Sequence, residues 1–175
     1  MTSLRAVKLL SAVTAAGVLA ACAHKPAAPR YNAQLEPRSG SQVSGTVTFT
    51  PMGEMTRVEA RVRGLTPGEH GFHIHEVGDC SAPDASSAKG HFNPGSQPHG
   101  HHTHPQYHAG DMPNLLADQA GNANYSVELP RLHLATGPVG IIGRSVVVHA
   151  DPDDYKSQPA GNSGKRVACG VIVAR

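Results

Sequence analysis

Short stretches in which apolar and polar residues alternate, separated by glycine- and proline-rich segments, dominate the chain beyond residue 40. Val43, Gly45, Val47 and Phe49 alternate with Ser44, Thr46 and Thr48, and Val58, Ala60 and Val62 alternate with Arg57, Glu59, Arg61 and Arg63. A period of two marks a strand with one face on the core and one in water, so both segments predict half-buried antiparallel strands. In GFHIHE, residues 71–76, Phe72 and Ile74 fall on one face while His73 and His75 fall on the other. One face can therefore pack the core while the opposite face presents two imidazoles. Further strands are expected at Leu115 to Asp118, Asn124 to Leu129, Ser145 to His149 and Val167 to Val173, and no segment carries a helical stripe. The pattern predicts an all-β sandwich or barrel in one domain, residues 31–175. Two stretches, Glu76 to Gly110 and Ala150 to Arg166, have no strand period, and loops of that length in a compact domain are functional or disordered.

The candidate chemistry lies on those strands and loops. His73 and His75 are followed by His91, His99, His108 and Asp111 in the first long loop, and His149 closes the apolar run that starts at Ser145. Three imidazoles with one carboxylate suit Zn²⁺ in a closed tetrahedral site, whereas an all-imidazole set also suits copper. The order of the residues fits two metal sites that share a histidine.

The segments GFHIHE, HFNPG at 91–95, HAGDMPN at 108–114, IIGRSVVVH at 141–149 and KRVACGVI at 165–172 together resemble the copper/zinc superoxide dismutase family, from about Ser41 to the C-terminus. The resemblance implies eight antiparallel strands in a Greek-key barrel, an immunoglobulin-like sandwich of which this family is a known example, with two long functional loops. It implies one copper per chain held by His73, His75, His91 and His149, and one zinc per chain held by His91, His99, His108 and Asp111. His91 would bridge the two ions and carry a proton. Asp153, in HADPDDY, resembles the family's aspartate that accepts hydrogen bonds from the outer nitrogens of His73 and His99, the kind of partner that fixes a ligating imidazole. Arg166 matches the arginine that stands beside the copper and docks the anion, with Lys165 a weaker contributor to attraction. The implied reaction is dismutation of superoxide to O₂ and hydrogen peroxide.

The N-terminus adds a compartment. Arg5 and Lys8 precede an apolar run from Leu9 to Ala21, and about a dozen apolar residues are too few to cross a bilayer, so a cleaved export signal is expected over 1–21. Leu19-Ala20-Ala21-Cys22 resembles a bacterial lipoprotein processing site, which would make Cys22 a lipidated first residue held to a membrane. The alternative is an ordinary signal cut nearby with Cys22 left free. Residues 22–30, rich in alanine and proline, read as a tether. Once Cys22 is lipidated, Cys80 and Cys169 are the remaining cysteines and allow one intramolecular disulfide, the alternative being two free buried thiols. A crosslink closing a loop of about 90 residues is worth roughly 4 to 5 kcal/mol on the chain-entropy account. The expected location is the periplasm or cell envelope.

Loss of Arg5 and Lys8 with the signal takes the 15 basic residues to 13, level with the 13 acidic ones, so the net charge of +2 belongs to the precursor. A basic run and tryptophan are both absent from the sequence, and nothing in it favours nucleic acid as a partner. A homodimer fits the resemblance. Ala160 stands where many members of the family carry threonine at the channel rim. His101, His102 and His104 crowd the interval between His99 and His108, where they could recruit metal, replace a zinc ligand or form a solvated loop. His70, His24 and His133 lie outside every motif and are expected to be structural or exposed. The rival reading is a non-catalytic envelope lipoprotein that stores or delivers copper or zinc.

Overall fold

The computed structural model describes residues 30–175; the expected signal, lipidated Cys22 and tether before them, with His24, lie outside the described residues. Nine strands follow in chain order: β1 Tyr31–Pro37, β2 Ser44–Met52, β3 Met55–Arg63, β4 Gly68–His70, β5 Phe72–His75, β6 Leu115–Ala117, β7 Ala123–Leu129, β8 Ser145–His149 and β9 Arg166–Ala174. Seven form one antiparallel sheet in the order β5-β8-β9-β1-β2-β3-β7, and β4 pairs with β6. The expected eight strands become nine because Gly71 divides the histidine strand: its amide donates to Asp151 O and its carbonyl accepts from His149 N, both at 2.8 Å. On the far side, the turn at 118–122 joins β6 to β7, with Asp118 N donating to Asn122 O at 2.9 Å. The two ends of the sheet are thus linked through the β4-β6 ladder, and the sheet curls around a single main core.

That core is what the alternation predicts. Val47 and Phe49 of β2, Val58, Ala60 and Val62 of β3, and Phe72 and Ile74 of β5 are buried, joined by Val146 and Val148 of β8 and Ile172 of β9. Burial of each such aliphatic or aromatic side chain contributes about 1.5 to 3 kcal/mol. The strand β1 is an addition to the expected set. It sits between β2 and β9, Ala33 and Leu35 facing inward, with Ala33 opposite Val47 on one side and Ile172 on the other. Among the described residues, the single helical element is the 3₁₀ turn Ser86–Ala88, and no helix is long and apolar enough to cross a membrane.

As an edge strand, β5 would leave a row of backbone groups unpaired. The first long loop covers it. Ile74 N donates to Gly110 O at 2.9 Å, Phe92 N donates to Ile74 O at 2.8 Å and Glu76 N donates to Gly90 O at 2.9 Å. Isolated bridges pair His75 with His91 and His73 with Asp111. Gly110 permits the approach, since a Cβ there would strike the Ile74 carbonyl. The edge hydrogen bonds therefore decide which loop residues lie beside the histidine strand.

Cys80 and Cys169 form the expected disulfide, with Cα atoms 5.7 Å apart and a sequence separation of 89. It fastens the start of the first loop to β9, over a small buried cluster of Ala85, Ala88 and Val147.

Candidate metal centre

All seven expected ligands come together, and all are buried. His73, His75, His91 and His149 present ligand atoms within 4.8 Å of one another, and so do His91, His99, His108 and Asp111. His91 belongs to both groups. Strands β5 and β8 run antiparallel with Phe72 opposite Val148, so a rigid pair carries His73 and His75 along one strand and His149 at the end of the other, while the loop pinned to β5 adds the rest.

Each ring is oriented by the nitrogen that faces away. His75 Nδ1 donates to Lys89 O at 2.9 Å and His149 Nδ1 to Gly164 O at 3.3 Å, which turns the two Nε2 atoms toward one another at 3.4 Å. His73 Nε2 is 2.7 Å from Asp153 Oδ2 and His99 Nε2 is 2.9 Å from Asp153 Oδ1, so one carboxylate fixes a ring in each group. His91 Nδ1 lies 2.8 Å from Asp111 Oδ1 and 3.4 Å from His108 Nδ1, on the side of the carboxylate group. Its Nε2 is therefore left to the all-histidine group. His99 Nδ1 stands 3.0 Å and His108 Nδ1 3.2 Å from Asp111 oxygens.

The chemistry of this donor set fits metal ions. Among the described residues, His73 Nδ1 and His91 Nε2 are buried with no hydrogen-bond partner, although buried ring nitrogens are costly to leave unpaired. Those are nitrogens that face the all-histidine group. Electrostatics agree: burial, then the charge of neighbouring histidines, pushes His75 and His149 well below the ordinary imidazole range and His91 down to about 3. Neutral imidazoles are the form that binds metal. His99 differs. Burial would lower it, but hydrogen bonds to Asp111 and Asp153 carry it up to about 9. Asp111 is held far below the carboxylate range, its burial outweighed by hydrogen bonds to His108, His91 and His99. An all-imidazole group suits copper, and three imidazoles with an anionic carboxylate suit zinc.

The second long loop closes the centre. Gln158 accepts from His99 N at 2.8 Å and donates to His99 O at 2.9 Å, while Asn114 exchanges two hydrogen bonds with the Asp153 backbone at 3.0 Å. Gly161, at φ 65°, leaves no room for a side chain, because a Cβ would strike Asp153 Oδ1 and meet His99 Nε2. Arg166 lies beside His149 in a surface opening that Ala160, Asn162 and Gly164 also line. Its Nη1 donates to Ala85 O and its Nη2 to Lys89 O, each at 2.7 Å.

Residues 43–172 match the family model described as "Copper/zinc superoxide dismutase (SODC)". The chain belongs to the copper/zinc superoxide dismutase family. Among its relatives, a protein of Deinococcus radiodurans named superoxide dismutase (Cu-Zn) is 44% identical over 169 residues, covering 89% of this chain and 90% of the relative. Another of Aquifex aeolicus, superoxide dismutase (Cu-Zn) 2, is 40% identical over 171 residues, covering 95% and 99%. A crystal structure of the clock protein EA4 is similar with a TM-score of 0.75 and 39% identity over 86% of this chain and 98% of that one.

Within this member of the copper/zinc superoxide dismutase family, His70 takes the structural one of its two expected readings, while the supports from Gln158 and Tyr155 were not expected. His70 is buried: its Nδ1 donates to the carbonyl of His149 at 2.9 Å, and its Nε2 lies 2.8 Å from Thr66 O. Tyr155 Oη accepts from Asn114 N at 2.7 Å, which latches the second loop to the residue just before β6. The position of His70 directly before GFHIHE was a usable signal; Gln158 and Tyr155 gave none. His133 is exposed, as one of its two expected readings had it.

Proposed function

We propose that the chain disproportionates superoxide, with His73, His75, His91 and His149 on copper, His91, His99, His108 and Asp111 on zinc, and Arg166 receiving the anion. The cofactors are copper and zinc, and the reaction turns two superoxide ions and two protons into O₂ and hydrogen peroxide. Bound copper supplies one-electron redox chemistry, taking an electron from one superoxide and returning it to a second. The observation that carries this reading is His91, one buried ring whose two nitrogens face different ligand groups.

The side chains divide the remaining work. His75 and His149, held from behind by backbone carbonyls, keep the open side of the all-histidine group toward Arg166. The Arg166 guanidinium is half-buried, with Nη1 and Nη2 each anchored on a carbonyl, so its charge is fixed beside the entrance. A small anion is drawn by such a charge before it touches any ligand. His91 Nε2, at the buried end of the path, would supply one of the two protons that peroxide takes, and solvent the other. Asp153, through His73 and His99, keeps the two ligand groups in register. Zinc has no redox role and secures the loop and the orientation of His91.

The rival, a metal-storing lipoprotein without turnover, has less support, because the arginine and all four copper-side imidazoles are assembled. Export and attachment to a membrane through Cys22 belong to the same reading, supported by the signal-like N-terminus and the single disulfide. Pairing with a second copy is also part of it; sedimentation of the purified protein distinguishes a dimer from a monomer. Superoxide decay measured on protein loaded with one copper and one zinc tests the catalytic reading. Rapid decay proportional to bound copper supports it, and full loading without decay favours storage.

A further inference from the structure

The zinc-side loop carries three more histidines that the centre does not use: His101, His102 and His104. A backbone hydrogen bond from His104 N to His101 O at 2.8 Å closes a turn that brings their side chains to one side of the loop. The rings of His101 and His102 are 4.3 Å apart between centroids, and those of His101 and His104 are 5.9 Å apart. In the principal centre, ring pairs within one ligand group range from 4.0 Å for His73 and His91 to 6.4 Å for His91 and His149. His101 is thus spaced from both neighbours as rings of the principal centre are spaced from one another.

Two further observations point to a ligand. Among the described residues, His102 Nδ1 is buried without a hydrogen-bond partner, as are His73 Nδ1 and His91 Nε2 of the principal centre. His101 is held in place: Thr103 Oγ1 lies 2.8 Å and Thr103 N 3.4 Å from its Nδ1, and the ring packs edge-on against Tyr155 at 4.6 Å. A partner behind one ring nitrogen leaves the other for metal. The loop nitrogens do not converge as tightly as those of the two principal groups, so binding requires side-chain rotation, which exposed His104 is free to make.

We propose that His101, His102 and His104 form a third, surface metal site that takes a borderline first-row divalent cation such as Zn²⁺. Imidazole ligands select that class over magnesium or calcium. Gly100 alone separates His101 from the zinc-side ligand His99, so an ion held there sits at the outer edge of the zinc half of the centre.

Equilibrium dialysis of the copper- and zinc-loaded protein against Zn²⁺ at neutral pH tests this, with bound metal counted per chain. The wild type should take up one further equivalent of Zn²⁺. In His101→Gln/His104→Gln that equivalent should be lost while the two resident metals and turnover stay unchanged, and His102→Gln should weaken it. No third equivalent in the wild type overturns the site. So does a third equivalent that survives the double variant, or one that disappears in His133→Gln instead. A protein that retains fewer than two resident metals speaks against the assignment of the principal centre, which is a different outcome.

Discussion

Arg166 Nη2 donates to the carbonyl of Lys89 at 2.7 Å, and that oxygen also receives His75 Nδ1 at 2.9 Å. Arg166 and His75 are therefore set against each other by one backbone atom. That atom lies in the segment that the Cys80–Cys169 bond ties to β9. Replacing both cysteines with serine should lower unfolding free energy by roughly 4 kcal/mol on the chain-entropy account. Turnover per bound copper should fall as well, because Ala85 and Lys89 no longer hold the guanidinium. Chemical denaturation and a copper-normalised assay check the two effects; unchanged turnover per copper would separate the disulfide from the position of Arg166.

Arg166→Gln keeps hydrogen-bonding capacity and removes the charge. Copper and zinc content should be retained while turnover falls, and the decline of rate with added salt should become shallower, since exposed charge attraction is screened over about 10 Å at 0.1 M ionic strength. Rates at several ionic strengths measure it. A variant with the wild-type salt slope would place the steering charge elsewhere, with Lys165 the next to replace.

Asp153 accepts from His73 and His99 at once, so its loss should loosen both metals together. Partners of this kind typically account for 10- to 100-fold in metal affinity. Competition with a chelator on Asp153→Ala should show copper and zinc weakened by about that factor, zinc through His99 and copper through His73. Weakening of one metal alone would break the coupling.

His70→Ala removes a buried ring that holds the carbonyl of His149 and leaves that carbonyl and Thr66 O without their partner. The expected cost is about 1 to 3 kcal/mol of stability, with copper affinity reduced more than zinc affinity because β8 carries His149. Thermal unfolding of the metal-free protein and chelator competition on the loaded protein give the two numbers.

Most strands were legible because at least one face of each meets the core: the alternation from Val43 to Phe49 and from Arg57 to Arg63 survives in the buried pattern of β2 and β3, while β5 is buried on both faces, its histidine face beneath the loop that covers it. Strand β1 has the same alternation, with Ala33 and Leu35 inward, but it follows directly on the proline-rich tether. Its place in the middle of the sheet comes from pairing with β9, which local pattern does not contain. The seven ligands could be read from residue type and order. Of their supports, Asp153 could be placed from HADPDDY through the family resemblance, whereas the Gln158 clamp on His99 and the Tyr155 latch on Asn114 could not, since they depend on two loops meeting across intervals of 59 and 41 residues. The break at Gly71 is likewise tertiary, made by hydrogen bonds to Asp151 and His149.

The central claim is that His91 is shared between two metal ions. Protein carrying Cu²⁺ on the histidine side and Co²⁺ in place of zinc should show the copper electron paramagnetic resonance signal quenched by coupling to cobalt through the ring. His91→Ala, reloaded in the same way, should recover an isolated copper signal. A full, uncoupled Cu²⁺ signal in the wild type with both sites occupied would contradict the shared ligand and the account built on it.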